Sequence, residues 1–247
     1  MKRYVLMLAA LLAPGLLSSA PVTSDALGTV KYEVSFKGTL INAKVADATI
    51  TLEHGTWQQQ KVLHARAAIN AVSIFRLFMN AEYRADSYIV PGTREPVYYK
   101  NPILKGGKEG KFECIYDKGA GTISATFAPP SVEPVESSFP YDGKTMDLLS
   151  LLQYVRFLDL PEGHSLSMHV LKAGISVPAV LKSLGADTER FPGQSTDRFL
   201  LSMTGKGLME NGSGDKIYVW RSTAPDRKLV GLEVNLGSGV MAVSLKD

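Results

Sequence analysis

One cysteine and four histidines are all that this 247-residue chain offers for thiol chemistry or soft metal ligation. Cys114 has no second cysteine to bridge, so no internal disulfide forms and the core alone must hold the fold in an oxidising compartment. It alternates with Phe112 and Tyr116 along the run KFECIYD and reads as a small buried hydrophobe. A metal needs several ligands converging on one point. His164 and His169 are five apart on an expected strand, an odd spacing that sends them to opposite faces. His54 and His64 lie across an expected hairpin and can approach each other, but no acidic pattern completes a site. Neither a metal nor a cofactor is expected.

Charge of one sign is equally scarce. Setting aside Lys2 and Arg3 leaves 25 basic residues against 24 acidic ones, which disfavours a nucleic-acid or polybasic membrane role. There is no Gly-x-Ser-x-Gly elbow, and Gly193-Gln194-Ser195 falls in a proline-glycine loop without strand-turn-helix context. The glycine-rich stretches Gly205-Lys206-Gly207 and Gly212-Ser213-Gly214 lead into no helix, so nothing supplies the N-terminus that holds a phosphate. They read as hairpin loops, and Asn211-Gly212-Ser213 as a chance match to a glycosylation acceptor. No internal repeat recurs at a fixed period. Without a catalytic motif the chain reads as a non-enzyme. A pair of carboxylates for glycan hydrolysis is a spatial feature that a sequence does not reveal, so that alternative stays open.

What the chain does have begins with a leader. Residues 1–20 carry Lys2 and Arg3, then the apolar block Val5–Leu12, then Leu16-Leu17-Ser18-Ser19-Ala20, which is the pattern of a secretory signal peptide. The block is too short to span a bilayer, and no transmembrane segment is expected in the mature chain. Residues 21–128 read as a curved antiparallel N-terminal half of roughly seven strands. The alternation of Val30, Tyr32, Val34 and Phe36 with Lys31, Glu33 and Ser35 is its clearest example. Ala71–Met79 fits a short helix and a buried strand equally, and Pro91-Gly92 signals a type II turn.

Residues 129–162 read as a proline-rich extended connector, without strand, followed by the one clear helix, Asp147–Leu158. Leu148, Leu151, Leu152, Val155 and Leu158 form its apolar arc, with Thr145 or Asp142 as cap. Arg156 falls inside that arc. Its ordinary reading is a salt bridge to a strand carboxylate or a stem along the sheet edge; its sharper reading, with Tyr154 on the rim, is a ligand-binding position. Residues 163–247 supply about six more strands, with Trp220 expected in the core. The expected fold is mainly β: strongly curved antiparallel sheets, a β-roll or half-barrel, around one central amphipathic helix.

The run DLLSLLQYVR at Asp147–Arg156, followed by Pro161-Glu162-Gly163-His164, resembles the centre of the exported bacterial domain of unknown function 3108 family. Tyr83–Tyr88 and Pro96–Tyr99 resemble its strand-turn-strand segment, Phe112–Asp117 its next strand, and Lys216–Thr223 with Leu229–Leu245 its closing hairpins. Two departures are Val45-Ala46-Asp47, where the family usually places a glycine, and the proline-rich insertion before the helix. The resemblance implies export to a diderm envelope and a curved-sheet fold, and it carries no catalytic residue. The expected function is therefore an exported protein, periplasmic, outer-membrane-associated or secreted. Its curved sheet would bind an apolar or amphipathic ligand or an envelope protein partner. The alternatives are an assembly factor acting through exposed strand edges and a glycan hydrolase.

Overall fold

The computed structural model describes residues 27–39, 42–72, 82–105, 108–172, 175–204, 216–236 and 239–246. The expected leader, the stretch from Gly205 to Gly214 and nearly all of Ala71–Met79 lie outside the described residues. Among these residues fifteen strands form one sheet: β1 (Gly28–Gly38), β2 (Asn42–Trp57), β3 (Gln60–Ala71), β4 (Glu82–Ile89), β5 (Pro96–Lys105), β6 (Lys108–Asp117), β7 (Thr122–Ala128), β8 (Val135–Pro140), β9 (Thr145–Asp147), β10 (Ser165–Lys172), β11 (Ile175–Asp187), β12 (Thr196–Met203), β13 (Lys216–Ser222), β14 (Leu229–Asn235) and β15 (Gly239–Leu245). One helix among the described residues, α1 (Leu148–Phe157), follows β9.

The strand order runs 8-7-6-5-4-3-2-1-15-14-13-12-11-10-9. The chain starts in the middle of the sheet and builds outward to the edge at β8. It then crosses to the opposite edge at β9 and builds back until β15 pairs with β1. All pairs are antiparallel except β9 with β10. This order dictates curvature. Fifteen flat strands about 4.8 Å apart would set the edges about 65 Å from each other, whereas the five steps from Pro140 to Thr145 reach at most about 18 Å. The sheet must curl until its edges nearly meet. The link is bonded on both sides, with Tyr141 N donating to Gly121 O at 2.8 Å and His169 N donating to Lys144 O at 3.0 Å.

Helix α1 fills the space this curl encloses. Leu151, Leu152, Val155 and Leu158 join one apolar core with the inner residues of β1, β2 and β10–β14. Leu149 and Phe157 join a second with the inner residues of β2–β7. The helix is thus buried nearly all round, Ser150, Gln153 and Arg156 included. Leu148, counted in the apolar arc, is instead 41% exposed.

Three further expectations change. The cap is Asp147, whose side chain accepts from Ser150 N, and neither Thr145 nor Asp142. The connector contains strands: Val135–Pro140 pairs with β7 while its prolines stay at or before its ends, where no inner ladder donor is needed. Gly92 keeps a negative φ, and Arg94 takes the left-handed conformation at φ 64°, so the turn is not type II. At the family departure, Val45 is the extra residue of a β-bulge opposite Val34 and Ser35, and both Val45 and Ala46 are buried there.

Candidate functional site

Two rims bound the curled sheet, and they are built differently. One carries the C-terminal end of α1. There Arg221 Nη1 donates to Val155 O at 3.1 Å and Leu158 O at 2.6 Å, while its Nη2 reaches Asp197 Oδ2 at 2.6 Å. Arg227 Nη1 donates to Phe157 O at 3.3 Å and pairs with Asp159 at 2.7 Å. These cations meet the carbonyls that a helix end leaves unsatisfied and the negative end of its dipole. Arg94, 1% exposed, lies 4.4 Å from the centre of the Phe157 ring, and burial lowers its pKa to about 10 with Arg156 adding to the effect. This rim is closed.

The other rim carries the β1–β2, β10–β11 and β14–β15 connections, and its inner face is less covered. Register places three cross-strand rows on the concave side. Ile217, Val234, Met241, Phe36 and Ala43 form the row nearest the rim. Val219, Leu232, Val243, Val34 and Ala46 form the next. Leu245, Tyr32, Ala48 and Ile69 form the third. Within these rows Phe36, Ile69, Leu232, Val234, Met241, Val243 and Leu245 pack on the core yet remain only partly buried. Ile175, in line with buried Val177 on β11, is 56% exposed at the same rim. The result is an apolar trough centred on β14, β15 and β1, whereas α1 lies closest to β3, β4, β9 and β10.

Polar groups border it sparingly. Tyr32 is buried in the third row; burial raises its pKa to about 12, offset in part by the charge of Arg156. Arg156 itself is 5% exposed, and its donors reach Gln153 Oε1 at 2.8 Å and the Arg227 and Asp226 carbonyls at 3.2 Å each. Burial lowers its pKa. Tyr154 is half-buried against the same core as the trough, and desolvation raises its pKa. Both sequence candidates thus lie on the helix side of the enclosed space, Arg156 toward the closed rim. The strand residues of the trough were not singled out from sequence. Their alternation marks them as inward-facing, but alternation does not say which inward positions a helix will cover.

Other sequence candidates separate. His54 pairs in register with Leu63, and Glu53 with His64, so the two histidines face opposite sides of the sheet and do not meet. His64 Nε2 instead lies 2.6 Å from Asp86 Oδ1 on the outer face. No cluster of three or more metal-binding side chains occurs among the described residues. Cys114 is buried, and desolvation raises its pKa. Ser87 Oγ donates to Asp147 Oδ2 at 2.9 Å, a hydroxyl–carboxylate pair whose acid is taken up in capping α1. Trp220 is buried, but on the outer face, where Phe191 meets it edge-on at 5.7 Å and Asp187 Oδ2 accepts from its Nε1 at 2.9 Å.

Residues 31–244 match the family described as protein of unknown function DUF3108. The chain belongs to the DUF3108 family. No curated protein matches it. Among solved structures, it is similar to the beta-barrel-like protein of domain of unknown function DUF1849 from Brucella abortus. That alignment covers 89% of this chain and 95% of the other at 8% identity, with a TM-score of 0.54. The lipoprotein LppX of Mycobacterium tuberculosis aligns over 90% of this chain and 88% of its own at 14% identity, with a TM-score of 0.28, below that of a shared fold. The first of these likenesses places this DUF3108 chain with curled, barrel-like sheets.

Proposed function

We propose that this DUF3108 protein is an exported envelope binding module, not an enzyme, and that its concave face takes an apolar or amphipathic ligand along β14, β15 and β1. The observation that carries the reading is the trough of Phe36, Ile69, Leu232, Val234, Met241, Val243 and Leu245, inward-facing yet only partly buried. An acyl chain laid on it would complete the burial, at about 0.8 kcal/mol for each methylene removed from water. The leader-like N-terminus supports export, and no helix among the described residues is long and apolar enough to cross a membrane. Tyr154 and Tyr32 would border the ligand from the helix and strand sides, with Arg156 behind them.

Native mass spectrometry of the mature protein purified from its own envelope is the direct test, with a retained mass of lipid size as the expected result. In parallel, a dansylated fatty acid should brighten on binding, and Met241→Trp, which fills the trough, should abolish the signal while leaving the melting temperature nearly unchanged. A bare protein mass together with no dye response would refute the reading. A second reading, assembly through a strand edge, is favoured by β8, where Val135 is 55% exposed on the end strand of the sheet. In that case Val135→Lys would abolish a complex while leaving dye binding intact.

A further inference from the structure

A second concavity lies at the closed rim, apart from the trough, and reaches from Trp57 and Ile115 on the outer face to Tyr116 and Tyr141 of the inner core. It encloses about 310 Å³ between the β2–β3 turn, the start of β5 and the β6–β7 turn, with Trp57, Gln58, Gln60, Ile115, Asp117 and Lys118 among its walls. That volume is at the small end of ligand pockets, roughly 300–1,000 Å³.

Its aromatic wall is rigid. Trp57 stacks on Tyr98 with ring centres 4.0 Å apart and planes 10° from parallel, and Tyr88 leans on Trp57 at 5.3 Å. Tyr98 is fixed by donating to Glu113 Oε1 at 3.0 Å, and Tyr88 by stacking on His64 at 4.3 Å. Trp57 remains only partly buried, and Ile115 beside it is 46% exposed.

The adjoining turn is strained toward the groove. Gln58 and Gln59 both hold positive φ, 45° and 68°, in a two-residue hairpin loop where Asn-Gly is the usual solution. A Cβ makes this left-handed backbone unfavourable at both positions. The turn places Gln58 and Gln60 at the groove, and their side chains make no hydrogen bond to other described residues. Opposite them, Lys118 Nζ pairs with Glu95 Oε2 at 2.8 Å, and Asp117, whose Oδ1 accepts from Ala120 N at 2.8 Å, adds a second carboxylate to the wall.

We propose that this groove binds a neutral oligosaccharide. Pyranose rings present an apolar C–H face that lies on an indole edge or face, and hydroxyls that bridge amides and carboxylates able to donate and accept in one plane. An anionic ligand is disfavoured, because Glu95 and Asp117 outnumber the one lysine on the wall. A purely apolar ligand would leave the Gln58 and Gln60 amides desolvated without partners.

The test titrates the folded mature protein with chitotetraose, cellotetraose and maltotetraose, by calorimetry and by tryptophan fluorescence. Trp57 is the tryptophan that a ligand reaches, since Trp220 is 3% exposed. At least one tetrasaccharide should bind saturably and shift the emission. Trp57→Ala should weaken binding roughly tenfold or more, and Gln58→Ala with Gln60→Ala, both at exposed positions, by roughly threefold or more. Binding by chitotetraose alone identifies an N-acetylated glycan, and binding by either glucan an unsubstituted one. Absence of saturable binding by all three overturns the proposal, as does wild-type affinity in the glutamine variant or in a folded Trp57→Ala.

Discussion

Removing the Asp147 carboxylate strands two groups in the interior at once. Its Oδ1 accepts from Ser150 N at 2.8 Å and its Oδ2 from Ser87 Oγ at 2.9 Å, and all three residues are at most 1% exposed. Loss of an N-cap costs about 1 kcal/mol and a buried hydroxyl left unsatisfied about 1–3 kcal/mol, so Asp147→Ala should lose about 2–4 kcal/mol. For a domain of this size that is a fall of about 5–15 °C in melting temperature. Asp147→Asn behaves differently. Its Oδ1 still caps Ser150 N, the Ser87 hydroxyl rotates to accept from the new amide, and no charge is buried. Burial raises the Asp147 pKa above the ordinary carboxylate value in spite of these hydrogen bonds. The folded state therefore holds the proton more tightly than the unfolded chain. The stability this contributes is present in full below the unfolded pKa and is lost as pH rises from about 4 through the folded value. The asparagine variant should gain on the wild type as pH climbs from acid to neutral. Urea denaturation followed by circular dichroism at a series of pH values measures both effects. An asparagine variant as unstable as the alanine variant at neutral pH, or a difference independent of pH, would refute the reasoning.

Two other substitutions probe the closed rim and the outer face. Arg221→Lys keeps the charge but not the fork that reaches the α1 carbonyls and Asp197 together, and should cost about 2–4 kcal/mol by urea denaturation, with little recovered by the lysine. Gly231→Ala would set a methyl against Phe191 Cζ, closer than van der Waals contact allows, and drive that ring from Trp220. It should cost about 1–3 kcal/mol and redshift the Trp220 emission, while Phe191→Ala in the same chain should relieve most of the added loss in a double-mutant cycle.

Local alternation was enough to read most strands because one face of each is buried and the period of two is short. The Val30–Phe36 run and its neighbours became β1 and its partners, and the helix fell where its apolar spacing put it. The edges were harder. Val135–Pro140 is a strand although prolines bracket it, since an end strand donates on one side only, and β9 is three residues long with no pattern to detect. Trp220 is buried as expected, but by Phe191 on the outside of the sheet, a contact set by how the 188–195 loop folds back and not by the strand's own pattern. Arg156 shows the same limit. Its place inside an apolar arc was legible, whereas its carbonyl partners at Asp226 and Arg227 lie 70 residues away and more.

The burial of polar residues on α1 follows from where the chain inserts it. A helix lying on one sheet face needs a single apolar stripe and keeps its other side wet. Here the helix follows directly on the short link between the two edges of a curled sheet, so it faces a core on each side: Leu149 and Phe157 toward β2–β7, Leu151, Leu152, Val155 and Leu158 toward the other strands. Two apolar faces leave only narrow strips between them. Ser150, Gln153 and Arg156 occupy those strips, where each bonds to an oxygen or nitrogen of the helix or of the closed rim. The same arrangement sets the helix closest to β3, β4, β9 and β10 and leaves on β14, β15 and β1 several inward apolar side chains only partly covered. The plug that joins the edges of this sheet and the trough assigned to a ligand are thus two consequences of one placement.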